Sequence, residues 1–268
     1  MSIGKGIKSD MKDALLAIVR HAGEIIRRRE EMIIEEKEGH ANFVTTIDEN
    51  VQAYLLDALH ALRPDAVAIG EEKINGALTD APTWIVDPVD GTTNLIHDYR
   101  ASAVSIALLE NREPVVGAVY NPYTDEFFYA EKGKGATLDG KPIHVSAFPL
   151  DKALVGFGTS PYNAELARVS LDLAHAFLLR AADIRRGGSA ALDLAHLACG
   201  RHDVFFELNL KPWDYAAGAL LIAEAGGTFE MPLCEAGLDF SKNTAILATN
   251  GVCLKAAHEV YDPFMAKL

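Results

Sequence analysis

The sequence predicts an α+β N-terminal half joined to an α/β C-terminal half. Three observations carry that prediction. Apolar stripes at helical spacing open the chain, short β-rich runs separated by turn residues fill residues 102–145, and strands and helices alternate from about residue 146 onward. The change of pattern places subdomains at about 1–148 and 149–268 within a single domain of 268 residues.

Met11, Leu15, Ile18, Val19, Ala22, Ile25 and Ile26 predict an amphipathic helix over about 8–31, and "MIIEE" (32–36) reads as a strand. Thr46 and Glu49 have the S/T-x-x-E spacing of a capping box, and Val51, Tyr54, Leu55, Ala58, Leu59 and Leu62 carry a second helix up to Pro64. "AVAIG" and "TWIV" are short strands that each stop at acids, "EE" and "DPVD". "AVSIALL", "PVVGAVY" and "EFFYAEKGKGATLDGKPIHV" predict an antiparallel meander. Beyond it, "ALVGFG", "DIRRGG", "DVFFEL", "GTFEM" and "TAILATN" read as strands. Helices are expected near 162–178, from Ser189, from Trp213 and near 251–266. The Ala and Gly content of "GALLIAEAGG" indicates tight helix packing.

The formal charge of −13 argues against nucleic acid or an anionic membrane as the main partner, since both need a cationic face. It leaves anionic substrates open, because bound divalent cations reverse the local sign. Three cysteines without C-x-x-C spacing suggest neither a disulfide framework nor a zinc knuckle, and fit a reducing cytoplasm. No stretch approaches the roughly 18 apolar residues of a membrane span.

Four acidic stations stand out: Asp48 on the second helix, Glu71 and Glu72 after one strand, Asp87 and Asp90 after the next, and Asp214 opening a late helix. A carboxylate at the end of a buried strand costs several kcal/mol unless something positive meets it. Neighbouring strand ends would gather these acids in one cleft, and such hard oxygen ligands suit Mg²⁺ or Mn²⁺. Gly91, Thr92, Thr93 and Asn94 follow Asp90, where a glycine and free N–H groups at a helix start form an anion site. Carboxylates for a metal beside N–H groups for phosphate describe phosphoryl transfer. Taken singly, Asp87 or Asp90 is equally a turn residue, Glu71 a surface acid and Asp214 a helix cap. The nine histidines show no ligand spacing.

Together, "GEE" (70–72), "WIVDPVDGTTN" (84–94), "GAVYNPYTDEFFYAEKGKGA" (117–136), "RRGGSAALDLAHLACG" (185–200) and "WDYAAGALLIAEAGG" (213–227) resemble the inositol monophosphatase family, in its bacterial form. The "DGT" tripeptide also occurs in aspartyl-phosphate phosphatases of the haloacid dehalogenase type. Their D-x-D-G-T motif has one residue between the acids; here there are two, and Pro88 stands where the nucleophile would be.

The resemblance implies a layered α-β-α-β-α sandwich of the inositol monophosphatase and fructose-1,6-bisphosphatase type. It also implies a lithium-sensitive phosphatase with two to three Mg²⁺ ions, and a homodimer. By position, Glu71, Asp87 and the Val89 carbonyl would hold a first ion, Asp87, Asp90 and Asp214 a second, and Glu71 a weaker third. Gly91 and Thr92 would offer N–H groups to the phosphate. Asp48 would accept from the Thr92 hydroxyl, which with Glu71 orients the attacking water. Gly188, Ser189, Ala190 and Glu207 would line the sugar side, with Asp90 and Asp214 bordering the substrate. Asn209 replaces a glycine common in the family, and the segment between Glu71 and Asp87 is shorter than in animal members. The expected substrate is myo-inositol 1-phosphate. The alternatives are fructose-1,6-bisphosphate, histidinol phosphate, 3'-phosphoadenosine 5'-phosphate or NADP. A second phosphate would require cations, for which Arg185, Arg186 and Lys211 are the nearby residues. A regulatory binding protein on the same scaffold is the reading from a different class.

Overall fold

The computed structural model describes residues 6–29, 32–36, 43–72, 77–234 and 237–266. Helix α1 (Gly6–Arg27) buries Leu15, Val19, Ala22 and Ile26 on one face. It stops short of the expected 31, and residues 30 and 31 lie outside the described set. Arginines at and just past its end reach carbonyls of neighbouring segments: Arg27 Nη1 donates to Pro122 O at 2.6 Å and Arg29 Nη2 to Ile96 O at 2.8 Å. Strand β1 (Ile34–Glu36), from the expected "MIIEE", pairs antiparallel with β2 (Phe43–Thr45), which the sequence pattern did not single out.

Helix α2 (Thr46–Leu62) is capped one residue earlier than its S/T-x-x-E pattern suggests. Thr45, in extended backbone, is the N-cap, and Asp48 rather than Glu49 reaches back to it. Asp48 Oδ2 accepts from the Thr45 backbone N–H at 2.8 Å, so the buried aspartate closes the box with one oxygen.

Strand β3 (Val67–Gly70) runs parallel to β4 (Thr83–Asp90). From β4 the chain continues as an antiparallel meander through β5 (Ala103–Glu110), β6 (Glu113–Asn121), β7 (Glu126–Glu131), β8 (Ala136–Leu138) and β9 (Lys141–Ile143), with the short helix α3 (Thr92–Ile96) between β4 and β5. The two-residue β5–β6 turn places Asn111 at φ 51° and Arg112 at φ 66°, the left-handed pair that matches strand twist in a tight hairpin.

The C-terminal half carries β10 (Leu154–Phe157), α4 (Ala164–Leu178), β11 (Asp183–Arg185), α5 (Ala190–Ala198), β12 (Val204–Leu210), α6 (Pro212–Glu224), β13 (Thr228–Glu230), β14 (Thr244–Thr249) and α7 (Leu254–Met265). Its five-stranded sheet has the order β11-β10-β12-β14-β13. β10 is parallel to β11 and β12, and β14 is antiparallel to both its neighbours.

The layers follow from which faces are apolar. α1 and α2 cover one face of the seven-stranded sheet, α5 and α6 fill the space between the two sheets, and α4 and α7 cover the outer face of the second sheet. This is the α-β-α-β-α sandwich. The middle layer is tight because its residues are small: a Cβ on Gly117 of β6 would come within 2.8 Å of Ala217 O, and one on Gly218 within 2.6 Å of Leu194 Cβ. The stacking brings the C-terminal ends of β3 and β4 to the N-terminal ends of α5 and α6.

Candidate active site

The cleft forms where those ends meet. The parallel register pairs Gly70 with Val86, so Glu71 and Asp87 leave adjacent strands side by side. Asp87 and Asp90 are three apart, and on a regular strand such residues face opposite sides. The β4–β5 register shifts between them, and both line the cleft. Asp87 Oδ1 also accepts from Val89 N at 3.0 Å, so the turn role of this aspartate holds alongside its place in the cluster. Asp214, in the first turn of α6, accepts from Lys211 N through Oδ2 at 2.8 Å and caps the helix as well as facing the cleft. Ser105 Oγ donates to Trp213 O at 3.1 Å and fixes the start of α6 against β5.

Asp87, Asp90 and Asp214 each present a carboxylate oxygen within 4.8 Å of the others. Three carboxylates this close raise one another's pKa. Burial pushes Asp87 well above the usual carboxylate range, with the charges of Glu71, Asp90 and Asp214 adding to it. Asp214 rises for the same reasons, burial first and Asp90 next. Asp90 is pushed up to about 6 by burial, against hydrogen bonds from Ser189 Oγ at 2.5 Å and Ala191 N at 2.7 Å that hold it down. A hard, all-oxygen set that repels itself could bind a divalent cation of the Mg²⁺, Mn²⁺ or Ca²⁺ type.

Behind this cluster, Asp48 spends its second oxygen on Thr92. The Thr92 hydroxyl donates to Asp48 Oδ1 at 2.9 Å and also lies 3.2 Å from Val89 O. Gly91 precedes it at φ 92°, and no side chain caps the α3 first turn. Ser102 Oγ donates to Gly91 O at 2.9 Å, and Asn94 Nδ2 donates to Ala101 O at 2.7 Å and Gly187 O at 3.0 Å. These bonds tie the "DGTTN" turn to the loop before α5.

Gly188, Ser189 and Ala190 enter the cleft at that loop, Gly188 at φ 90° and Ser189 as the α5 N-cap. Glu207 of β12 faces it from the other sheet, its pKa pushed up to about 7 by burial, with one long bond from Ser160 N at 3.3 Å. Glu71, Asp87, Val89, Asp90, Gly91, Thr92, Gly188, Ser189, Ala190, Glu207 and Asp214 therefore share one cleft, and Asp48 stands behind Thr92. Asn209 also lines it, two residues from Glu207. Residues 73–76, in the shortened segment after Glu71, lie outside the described set.

The three arginine and lysine candidates separate. Arg185 is exposed and bonds Asp183 at the sheet edge. Arg186 and Lys211 line the cleft, Lys211 with its Nζ 5.2 Å from the Trp213 ring centre. Phe43, Tyr162 and Asp193 line it too, without any sign in the local pattern. Phe43 arrives from the start of β2 and Tyr162 from the loop before α4, and Asp193 follows from helical spacing after Ser189 once α5 is placed.

The inositol monophosphatase family model matches residues 8–263. Inositol monophosphatase 2 of Solanum lycopersicum is 40% identical over 256 residues, 91% of this chain and 95% of that protein. Nus factor SuhB of Xylella fastidiosa is 37% identical over 219 residues, 80% of this chain and 78% of its own. Among solved structures, an IMPase of Thermotoga maritima superposes with a TM-score of 0.86 at 30% identity, covering 96% of this chain and 99% of that one. The fold and cleft define a phosphoric monoester hydrolase. The chain belongs to the inositol monophosphatase family. Among the described residues no helix is long and apolar enough to cross a membrane, and Cys199, Cys234 and Cys253 are free thiols.

Proposed function

We propose that this chain hydrolyses the phosphate monoester of a small polyol or sugar, myo-inositol 1-phosphate first among them, with Mg²⁺ held by its clustered acids. The observation that carries the reading is the Asp87–Asp90–Asp214 trio beside the Thr92–Asp48 pair. Glu71, Asp87 and the Val89 carbonyl would hold a first ion, Asp87, Asp90 and Asp214 a second, and Glu71 a weaker third; Mn²⁺ fits the same oxygens. Bound Mg²⁺ lowers the pKa of water and offsets charge on the phosphate oxygens. The protein's own part is positioning. With its single hydrogen directed to Asp48, the Thr92 oxygen keeps a lone pair to accept from the attacking water, and Glu71 accepts that water's other proton. The Gly91 and Thr92 N–H groups would hold the phosphate, since a left-handed glycine lets the backbone approach closely. Gly188, Ser189, Ala190 and Glu207 would meet the polyol, Glu207 accepting from a ring hydroxyl.

Phosphate release from a panel of esters, with and without Mg²⁺, tests this. Mg²⁺-dependent turnover of inositol 1-phosphate above the rest is expected, with inhibition by millimolar Li⁺. No turnover of any ester would favour a regulatory binding protein, a reading supported by likeness to the Nus factor. Arg186 and Lys211 in the cleft support a second enzymatic reading, a substrate with another phosphate such as fructose-1,6-bisphosphate, 3'-phosphoadenosine 5'-phosphate or NADP, with histidinol phosphate the alternative that carries a single phosphate. A homodimer in the cytoplasm completes the proposal, and sedimentation velocity checks the dimer.

A further inference from the structure

Beside the cleft, three side chains with metal-binding atoms converge, of which Asp193 also lines the cleft while His196 and His202 do not. Asp193 and His196 are three apart on α5 and share a face. His202 lies on the loop that leads into β12. One ligand atom from each falls within 4.8 Å of the others. Asp193 is 4% exposed and His202 6% exposed.

Asp193 accepts from the Gly187 backbone and the His202 ring bonds the Asp193 backbone, yet one buried atom of the group is left over. His202 Nδ1 is buried without a hydrogen-bond partner, and Asp193 Oδ1 stands 3.9 Å from it, too far for a bond. An orphaned buried nitrogen in a native protein calls for an explanation. The His196 ring stands edge-on to His202 with centres 5.6 Å apart, and it is the third side of the group. Two glycines make room for these side chains: a Cβ on Gly156 would come within 2.8 Å of His202 Nδ1, and one on Gly187 within 2.5 Å of Asp193 Oδ1.

We propose that Asp193, His196 and His202 form a separate site for a borderline-soft dication of the Zn²⁺ class. Two imidazoles and one carboxylate are a donor set that suits Zn²⁺ and its neighbours, whereas the all-oxygen trio in the cleft suits Mg²⁺. Burial pushes both imidazoles down to about 4, so they are neutral at physiological pH and each keeps a lone pair. Ligand atoms around a tetrahedral Zn²⁺ sit roughly 3.4 Å apart, given bond lengths of about 2.0–2.1 Å. The 3.9 Å between Asp193 Oδ1 and His202 Nδ1 therefore has to close by only about 0.5 Å. Asp193 gains a counter-charge that no ion pair with a lysine or arginine supplies among the described residues.

The site would also act on the cleft. α5 carries two of its ligands, and the first turn of the same helix holds Asp90 through Ser189 Oγ and Ala191 N. A cation joining α5 to the loop before β12 fixes the helix whose N-terminal turn positions Asp90.

The experiment titrates Co²⁺ and then Zn²⁺ into the full-length protein at saturating Mg²⁺, which occupies the carboxylate site. Co²⁺ should give an intense visible spectrum of low coordination number at one equivalent, discharged by Zn²⁺. His196→Gln and His202→Gln should each weaken that binding at least tenfold while Mg²⁺-dependent turnover persists. Imidazole ¹⁵N spectra of the wild-type protein keep the test independent of how the variants fold: two histidine side chains should shift on adding Zn²⁺. An absence of stoichiometric Co²⁺ or Zn²⁺ beyond what Mg²⁺ displaces, wild-type imidazoles that do not shift, or equal binding by folded variants would each overturn the site. The outcome is independent of which ester the cleft hydrolyses.

Discussion

The Thr92 hydroxyl donates to Asp48 Oδ1 at 2.9 Å, joining two positions 44 residues apart. The same carboxylate accepts from Thr45 N with its other oxygen, so helix capping and threonine positioning share one buried side chain. The two roles can be separated. Thr92→Val keeps the shape but has no hydroxyl, and kcat should fall by about 10²–10⁴, the usual scale for a lost proton-transfer partner. Mg²⁺ affinity by calorimetry should stay within about threefold, because Thr92 supplies no metal ligand. Asp48→Asn sets an amide against the Thr45 N–H, or turns its carbonyl there and leaves Thr92 facing NH₂. Thermal unfolding should show a cost of about 1–3 kcal/mol, the penalty of an unsatisfied buried polar group. A Thr92→Val enzyme of full activity would remove this pair from the mechanism.

Gly158 leaves room that Glu207 fills. A Cβ there would stand 1.9 Å from Glu207 Oε2 and 2.0 Å from its Cδ, an overlap no side chain accepts without moving. The Gly158 φ is outside the left-handed region, so Gly158→Ala acts through space alone. The displaced carboxylate should raise KM for polyol phosphates at least tenfold. The Asp87–Asp90–Asp214 cluster is built on other strands and helices, so Mg²⁺ binding should be retained. Steady-state kinetics on inositol 1-phosphate beside calorimetric Mg²⁺ titration checks the split, and unchanged KM would place Glu207 outside the polyol contacts.

How much of this was legible in the sequence depended on whether the signal was local. The short apolar run "TWIV" and the meander beyond it were enough for the first sheet, since β-branched runs and turn residues are properties of adjacent positions. The capping box was off by one because Thr45-x-x-Asp48 and Thr46-x-x-Glu49 are overlapping patterns, and burial of Asp48 against Thr92 decides between them. The acidic stations and their gathering at neighbouring strand ends were legible, but the means was not: the β3–β4 parallel pairing and the β4–β5 register shift that turn Asp87 and Asp90 to one cleft are long-range. Arg185 and Arg186 look equivalent in "RRGG", yet one strand residue separates an exposed edge from the cleft. His196 and His202 carried no ligand spacing, for their meeting with Asp193 is made by the loop that returns from α5 to β12.

Mg²⁺ binding should weaken as the solution is acidified. Asp90 has a folded-state pKa of about 6, above its ordinary 3.8, and Asp87 and Asp214 move the same way. In the metal-free protein folding takes up a proton at Asp90 between about pH 3.8 and 6, and the penalty of crowding its charge is fully present above pH 6, with Asp87 and Asp214 acting in the same direction. Mg²⁺ binds the unprotonated cluster, so protons compete with it. Each displaced proton lowers apparent affinity up to tenfold per pH unit below the pKa. Calorimetry at pH 7.5, 6.0 and 5.0 should show affinity falling and proton release rising between the last two. Affinity independent of pH over this range would mean that these carboxylates are not the ligands.

His258 ties α7 to the second sheet in a pH-dependent way. Its Nδ1 lies 2.8 Å from Asp262 Oδ1 on the same helix, and its Nε2 lies 2.8 Å from Glu230 Oε2 of β13. Two carboxylates on one imidazole favour the doubly protonated ring, and the bond to Asp262 leads in raising its pKa above the ordinary 6.5. The stabilisation is therefore fully present below pH 6.5 and is lost as the pH rises through the higher folded value. His258→Gln should lower the unfolding midpoint more at pH 6 than at pH 9, because the wild-type ring gives up its proton as the pH rises. The difference should shrink in 1 M NaCl, since the group is partly exposed and salt screens it. Thermal unfolding of the two proteins across that pH range checks it, and an equal offset at pH 6 and pH 9 would assign His258 a packing role instead.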